Sequence, residues 1–466
     1  MTVLVAMAGA VALRAWHVAG AMPDHGAEPL PLRLAVGMRS VTSARFDWDP
    51  RWFVEPSLGV YLQLVVQQAV YLGGRLAGAW TNPADHRLAF LLDPTPMMLG
   101  ARALLILCDA LSVLAAWRLG ERLARGSGPA AALLVACSAL SIEATRAAAT
   151  DPLTVVLVLW SLERLVAWYT SGGLRRFAAA AALAGLATGA GYAAVVVLPP
   201  LVWLAWQREG RRGVRLAGLG VVIAAGAFLL STPFALLDAG AFGRDVGSGW
   251  MGLAAAGWGG GQPQALAVTA ADLARTLGWP ALALLAASPW LAWRDRDRRA
   301  SWIAVWLALL AFSMVAALGG PRVPAAPLLV AALSAPLAAA CAWSAMPRTP
   351  APARPALATA LLIALVAMPL TGGFRAAGSA GGGTRNAARI WCETHLRNAE
   401  LMISDANGPD LLTGSRLAAM RDAPTYRRAS PQWRARVDRL RWQRVVVLPP
   451  VTRGSAVSTL ALAGLP

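Results

Sequence analysis

Long apolar segments recur along the 466 residues of this chain, and they limit the folds it can adopt. A helix needs about 20 predominantly apolar residues to cross a hydrocarbon core of about 30 Å. Hydrophobic residues make up 57% of the chain and charged residues only 14%, whereas a soluble domain carries about 25% charged residues. This composition excludes a disordered chain and argues against a soluble enzyme. We predict eleven spans, at roughly 2–21, 97–117, 129–145, 152–169, 177–190, 192–206, 214–236, 277–293, 301–319, 323–344 and 355–372.

The chain is strongly basic, with 42 basic and 24 acidic residues, a net charge of +18 and no lysine. In a soluble protein this balance would indicate nucleic acid, but arginine-rich cytoplasmic loops explain it here and no nucleic-acid partner is expected. Fifteen arginines lie on alternate connectors between the predicted spans. The asymmetry predicts a cytoplasmic N-terminus and an extracytoplasmic loop 22–96. The connectors are 118–128, 170–176, 207–215, 294–300 and 345–354.

Two points decide the span count. If 177–206 were one helix, ten spans would remain and the C-terminus would lie inside. Gly189, Gly191 and the later Pro199–Pro200 favour a break, because thirty residues is long for one span. Residues 1–22 are either the first span or a cleaved signal peptide. We favour a span, since no basic residue precedes the apolar run.

Three regions are predicted outside the membrane. Loop 22–96 contains the run 57–72, whose Gln63, Gln67, Gln68 stripe suits a helix at the membrane surface. Loop 237–276 is rich in glycine and is expected to be mobile. Residues 373–466, placed outside by the odd span count, contain a helical stretch at 384–398 and strand-like runs at 400–405 and 444–450. The predicted fold is an all-α polytopic membrane domain, 1–372, followed by a small extracytoplasmic α/β domain, 373–466.

Two carboxylates are candidates for catalysis. Asp24 follows the first span, and Asp151 lies at the outer end of the third and fourth spans, with Arg146 one turn earlier. The predicted topology brings both carboxylates to one side, where such a pair permits acid–base work or metal binding. Each also has a simpler interpretation. Asp24 could be a solvated charge, and Asp151–Pro152 could be an ordinary helix start.

Further polar residues near the outer boundary are candidates for ligand binding. Arg102 and Arg322 could hold a phosphate through a bidentate fork, or else reach up to lipid headgroups. Arg51 and Glu55 have aromatic neighbours that are typical of an interfacial belt. The four cysteines and four histidines show no disulfide framework or clustered metal spacing. His25 and Glu28, beside Asp24, could bind a divalent ion, although a plain polar loop is the alternative.

Seven segments in order resemble the GT-C superfamily of membrane glycosyltransferases, in particular the family 39-like group. That group includes protein O-mannosyltransferases and lipid A aminoarabinose transferases. The resemblance covers about residues 1–345. Its segments are MPDHGAEP, FDWDPRWFVEPSLGVYL, GARALLILCDALSVLAAWRLGERLARG, SALSIEATRAAATDPL, GLATGAGYAAVVVLPP, STPFALLDAGAF and PRVPAAPLLVAAL.

The resemblance implies inverting transfer of a sugar from a polyprenyl-phosphate carrier to an acceptor hydroxyl at the outer face of the plasma membrane. Asp24 would be the general base or hold the acceptor, and Asp151 would assist it or orient a metal or an arginine. Cations must offset charge on the leaving phosphate. Arg102 and Arg322 are the first candidates for that role, and Arg51 follows them. Substrate binding would also involve Arg146, Glu55 and Tyr192.

Departures from the family pattern keep other functions open. His25 replaces the usual Glu, Gly191 replaces the Lys before Tyr192, and Thr150 replaces the Pro before the second Asp. The aromatic residues that usually surround Arg146 are alanines. A divergent enzyme with other substrates or a non-catalytic protein with the same fold would fit these changes. A transporter or flippase for a lipid-linked substrate is the rival from another class, but no internal repeat is evident.

Overall fold

The computed structural model describes the greater part of the chain. The described residues are 2–16, 18, 30–41, 45–146, 148, 151–256, 271, 274, 276–284, 286, 303, 354–379, 388, 391–392, 394–398, 400–404 and 411–447. The principal elements are α1 (Thr2–Ala15), α2 (Leu30–Met38), α3 (Leu58–Leu76), α4 (Pro83–Leu92), α5 (Thr95–Leu123), α6 (Gly128–Ala136), α7 (Ala139–Arg146), α8 (Asp151–Ser171), α9 (Leu174–Ala190), a 3₁₀ helix (Tyr192–Val197), α10 (Leu198–Glu209), α11 (Arg211–Ser231), α12 (Phe234–Leu237), α13 (Ala239–Ala256), α14 (Arg354–Ser379), β1 (Leu401–Ser404), α15 (Gly414–Asp422), α16 (Pro424–Arg428), α17 (Pro431–Asp438) and β2 (Arg444–Val447).

The apolar helices place the chain in a membrane. Among the described residues, α5, α8 and α11 are long and apolar enough to cross a bilayer. The α6–α7 pair, bent by 46°, would be a fourth span if it crosses as one unit. The predicted segments 301–319 and 323–344 lie outside the described residues apart from Ile303, so the count of eleven stays a prediction.

The predicted break near Gly189–Gly191 is confirmed. Helix α9 ends at Ala190, and α10 begins at Leu198 after the 3₁₀ helix. The guanidinium group of Arg208, near the end of α10, donates to the backbone carbonyls of Trp168 (2.8 Å) and Tyr169 near the end of α8. Because α9 leads away from that end of α8 and α10 returns to it, the two helices are antiparallel passes.

Helices α9 and α11 run parallel and touch through small residues. A Cβ on Gly185 would lie 2.1 Å from the Ala224 carbonyl oxygen, and one on Gly189 would lie 2.0 Å from Ser231 Oγ. Backbones approach this closely in membranes where glycine and other small residues line the contact. The end of α11 therefore lies beside the end of α9, at the end of the bundle where the first loop packs. We call this the first-loop end.

A buried ion pair spans the break between α6 and α7. Arg14 of α1 and Asp109 of α5 are both fully buried and form an ion pair. Arg14 also donates to the Ala136 carbonyl at 2.8 Å, and Asp109 accepts from Ser141 Oγ at 2.7 Å. The guanidinium group of Arg14 donates to carbonyls that the end of α6 leaves unpaired, and the carboxylate of Asp109 accepts hydrogen bonds from hydroxyl groups of α7. The pair thus joins four helices around the bend.

Helix α3 confirms the helix predicted within 57–72, but its glutamine stripe faces inward. Gln63 and Gln67 are buried, and Gln67 Nε2 donates to the Met97 carbonyl at 3.1 Å. The outward stripe is apolar, with Val65, Leu72 and Leu76 exposed by 66%, 57% and 91%. The orientation is reversed because the buried Gln67 amide nitrogen finds a partner on α5, while an apolar stripe is compatible with lipid.

The described part of the tail contains two strands, in agreement with the strand-like runs predicted at 400–405 and 444–450, whereas helix α14 continues past the predicted boundary at 372/373 to Ser379. β1 and β2 pair in parallel, from Leu401 with Arg444 to Ser404 with Val447, and α15, α16 and α17 lie between them in the chain. The helices pack on α4 of the first loop. The Asp85 carboxylate accepts from the Ser430 N–H at 2.7 Å, and Trp433 Nε1 donates to the Ala79 carbonyl at 3.2 Å. The first loop and the tail therefore lie at one end of the bundle.

Candidate functional site

A turn at residues 51–57 is fastened to two helical segments, α13 and the 3₁₀ helix, at the first-loop end. The Phe53 N–H donates to Asp245 Oδ2 of α13 at 2.8 Å, and the Phe53 carbonyl accepts from the Tyr192 hydroxyl at 2.9 Å. The Phe53 ring is fully buried and meets Phe242 edge-on, with 5.8 Å between centroids. Clamping the peptide groups on both sides of Phe53 fixes the path of the turn.

The turn brings Glu55 near Asp151, the first residue of α8, since Leu58 directly after the turn packs against the apolar cluster that contains Leu153 and Val156. The two half-buried carboxylates interact as like charges. Burial raises the pKa of Glu55 above its ordinary range, because loss of water disfavours the charged form. Asp151 lies where the positive end of the α8 dipole favours an anion, and Pro152 occupies the first turn. Two like-charged carboxylates that interact permit one to hold a proton while the other is charged, because the charge on one disfavours ionisation of the other.

Arg102 and Arg146 lie next to each other at the same end of the bundle. Arg102 Nε donates to the Arg146 carbonyl at 2.8 Å, and Arg102 Nη1 donates to the Val18 carbonyl. Arg146 Nη2 donates to the carbonyls of Ala377 (2.7 Å) and Trp16 (2.8 Å). Both side chains are buried. Carbonyl oxygens orient a guanidinium group without cancelling its charge, so these hydrogen bonds hold two cations in place.

Arg51 faces water. Its side chain is 75% exposed, and Nη2 pairs with Asp47 Oδ2 at 2.7 Å. The residue has φ +53°, and its N–H donates to Asp49 Oδ1 at 2.9 Å. This left-handed backbone conformation redirects the chain just before Phe53, whose N–H and carbonyl are both hydrogen-bonded. Of the two residues predicted together in the FDWDPRWFVEPSL segment, the structure brings Glu55, rather than Arg51, to Asp151.

Four of the predicted residues lie outside the described part of the chain. They are Asp24, His25, Glu28 and Arg322. The nearest described residue before Asp24 is Val18, whose carbonyl accepts from Arg102. Among the residues that the structure describes, no group of three or more His, Cys, Asp or Glu side chains is arranged to hold a metal ion. The metal ligands suggested by sequence, His25 and Glu28, remain predictions.

Sequence reasoning missed Asp245 because it lies in the glycine-rich segment that was expected to be a mobile loop. Residues 239–256 instead form α13. The Asp238 side chain accepts from the Ala241 N–H at 3.1 Å near the start of the helix, and Phe242 packs against Phe53 and Tyr192. Glycine lowers helix propensity by about 1 kcal/mol per residue, and tertiary contacts of this kind outweigh it. The available signal was Asp238 four residues before Phe242, which is typical of a helix start.

Comparisons with known proteins extend over most of the chain. A model of the dolichyl-phosphate-mannose-protein mannosyltransferase family matches residues 92–236. No curated protein sequence matches. ArnT from Cupriavidus metallidurans, solved with undecaprenyl phosphate, has a TM-score of 0.52 at 15% identity, covering 99% of this chain and 94% of that one.

The archaeal oligosaccharyltransferase AglB from Archaeoglobus fulgidus shows the same fold. Its complex with an inhibitory peptide and a dolichol-phosphate has a TM-score of 0.54 at 13% identity, covering 84% of this chain and 57% of that one. The chain thus spans less than two thirds of the oligosaccharyltransferase. At these identities the solved structures show a common fold. The family match and the shared fold confirm the predicted resemblance to the GT-C superfamily of membrane glycosyltransferases.

Proposed function

We propose that this protein transfers a sugar, with inversion, from a polyprenyl-phosphate-linked donor to an acceptor hydroxyl at the outer face of the plasma membrane. The acceptor is a protein, a lipid or a glycan. The observation that carries the proposal is the Glu55–Asp151 carboxylate pair at the first-loop end, in a fold shared with proteins solved with dolichol-phosphate and undecaprenyl phosphate. The arginine-rich connectors at the opposite end support a cytoplasmic N-terminus and an outer position for this pair.

In the proposed reaction the Asp24 carboxylate accepts the proton of the acceptor hydroxyl. The acceptor oxygen bonds to the anomeric carbon as the carbon–oxygen bond to phosphate breaks, and polyprenyl phosphate leaves. Asp151 assists Asp24, and Glu55 and Tyr192 shape the substrate site. A divalent ion, if the enzyme uses one, would be held near His25 and Glu28.

The leaving phosphate needs positive charge close by. Arg102 and Arg146 supply it in this proposal, with Arg322 and Arg51 as further candidates. The carbonyls of Val18, Ala377 and Trp16 hold the first two guanidinium groups before substrate arrives. Preorganised cations stabilise developing charge without having to reorient during the reaction.

One observation favours a second candidate, a non-catalytic protein that binds lipid-linked substrates or moves them across the membrane. At Gly191, where the family pattern has Lys, a Cβ would lie 2.8 Å from Thr154 Oγ1. Thr154 therefore fills the space that the first atom of a longer side chain would need. The family's additional phosphate ligand has no room here, so donor binding would depend on the arginines.

Transfer assays on the purified protein in nanodiscs test the proposal. We would supply a panel of radiolabelled polyprenyl-phosphate sugars with a native membrane extract as acceptor, and compare wild type with Asp24→Asn, Asp151→Asn and Glu55→Gln. Asp422→Asn is the matched control, because Asp422 is an exposed tail carboxylate to which the proposed reaction gives no role. Transfer lost in the Asp24 and Asp151 variants, with folding and the control intact, is the expected result. Donor binding without transfer from any donor would favour the non-catalytic candidate.

A further inference from the structure

The described tail presents an unusually basic surface. Residues 416–444 contain nine arginines and two aspartates, a net charge of +7 within 29 residues. One of the two aspartates, Asp438, already accepts from the Tyr426 hydroxyl at 2.9 Å and pairs with Arg421 at 3.2 Å. Arg427, Arg436 and Arg439 are exposed. We call the exposed side of α15–α17 the arginine face.

The arginine face is held close to the membrane boundary. Leu417, Trp433 and Val437 of the tail share one apolar cluster with Met97 and Met98, in the first turn of the span α5. Helix α4 lies between them and ends three residues before α5 begins. One helix diameter is about 10 Å, and the Debye length at 0.1 M salt is also about 10 Å. The arginine charges, about one helix diameter from the start of the span, are therefore only partly screened from the lipid headgroups.

The arginine face also adjoins an apolar anchor. Trp433 Nε1 bonds to the Ala79 carbonyl, just beyond the exposed Leu72 and Leu76 of α3. The Arg436 guanidinium lies over the Trp433 ring, 4.5 Å from its centroid. Exposed apolar side chains bordered by tryptophan and arginine are typical of surfaces that sit in the bilayer interface.

We propose that the arginine face of α15–α17 binds the anionic phospholipid headgroups of the bilayer beside α3. Charge complementarity and height above the span select this partner. Each arginine near an anionic bilayer strengthens binding about fivefold, so several together hold the tail down on the membrane. This lipid contact is separate from the carboxylate site, and it does not depend on the proposed transfer reaction.

The test uses the full chain in nanodiscs of phosphatidylcholine, with or without phosphatidylglycerol. Hydrogen exchange of peptides from 411–447 is the readout. We expect exchange to slow by about fivefold or more with the anionic lipid. The difference should disappear in 1 M salt, where the Debye length is about 3 Å. Equal exchange in the two lipids at low salt would overturn the proposal.

Variants separate charge from packing. The triple variant R427Q/R436Q/R439Q should lose the lipid-dependent slowing, while R427K/R436K/R439K should keep it even if the Gln variant unfolds. The matched control R211Q/R212Q/R215Q removes three exposed arginines at the opposite end and should behave as wild type. If hydrogen exchange slows only in nanodiscs that hold two copies of the chain, whatever the lipid, the arginine face contacts a second copy. That result would overturn the lipid proposal.

Discussion

The buried pair Arg14–Asp109 allows a stability prediction whose magnitude follows from its contacts. Replacing Asp109 with Leu leaves Arg14 buried and without its counter-ion, and removes the acceptor of Ser141 Oγ. Breaking a buried ion pair from one side costs about 3–5 kcal/mol. We therefore expect Asp109→Leu to lower the free energy of unfolding by about that amount.

The double variant Arg14→Met/Asp109→Leu should be less damaging than Asp109→Leu alone. It removes both charges, so the remaining loss is that of hydrogen bonds: the Ala136 and Val135 carbonyls lose Arg14, which donates to them at 2.8 and 3.2 Å, and Ser141 Oγ loses its carboxylate acceptor. An unsatisfied buried group costs about 1–3 kcal/mol. The two substitutions should therefore be strongly non-additive in a double-mutant cycle.

Denaturant titrations in mixed micelles, followed by tryptophan fluorescence, measure these differences. The exposed Arg51–Asp47 pair supplies the control, and Asp47→Ala should cost less than about 1 kcal/mol. Losses that simply add in the double variant would refute the reasoning, because they would mean that the two charges do not interact in the folded protein.

Three further predictions concern the first loop and its attachments. Burial and Arg39 lower the pKa of His86 to about 4. The contribution of neutral His86 to the free energy of unfolding is therefore complete above the ordinary histidine pKa of about 6.5, and it is lost as the pH falls toward 4. Thermal unfolding across this range should show that loss, and His86→Phe should abolish it. Asp85→Ala removes the acceptor for the Ser430 N–H, and trypsin should then cut the tail faster while the spans stay intact; unchanged cleavage would contradict the docking. Tyr192→Phe removes one hydrogen bond to Phe53, so the 51–57 turn should exchange its amides several-fold faster, in line with a loss of about 1 kcal/mol. A turn that exchanges at the wild-type rate would show that the clamp does not hold it.

The sequence predicted the elements that depend on composition and local signals. Spans at α5, α8 and α11 follow from long apolar runs, and the break at Gly191 follows from glycine and the later prolines. The two short strands follow from two runs of β-forming residues, whereas their parallel pairing was not predicted. In each case the physical cause lies within the segment itself, so no knowledge of its neighbours was needed.

The contacts between distant segments could not be predicted in the same way. Glu55 was singled out as a loop residue, but its place beside Asp151 depends on Asp245, about 190 residues further along the chain. The inward glutamines of α3 depend on carbonyls of α5 that only the fold reveals. The Arg14–Asp109 pair is different, because it could have been predicted from the sequence. Charges of opposite sign within two predicted spans are expected to pair.

The contact between Asp85 and Ser430 also sets an order of events during synthesis. The two residues are 345 positions apart, and a ribosome adds about 5–20 residues per second. For about 20 to 70 s the first loop is complete while its partner has not yet been made. Through that interval the apolar side chains of α4 lack the tail residues Leu417, Trp433 and Val437, which share their cluster in the finished fold. A chain that stops before residue 430 would keep this unfinished state permanently.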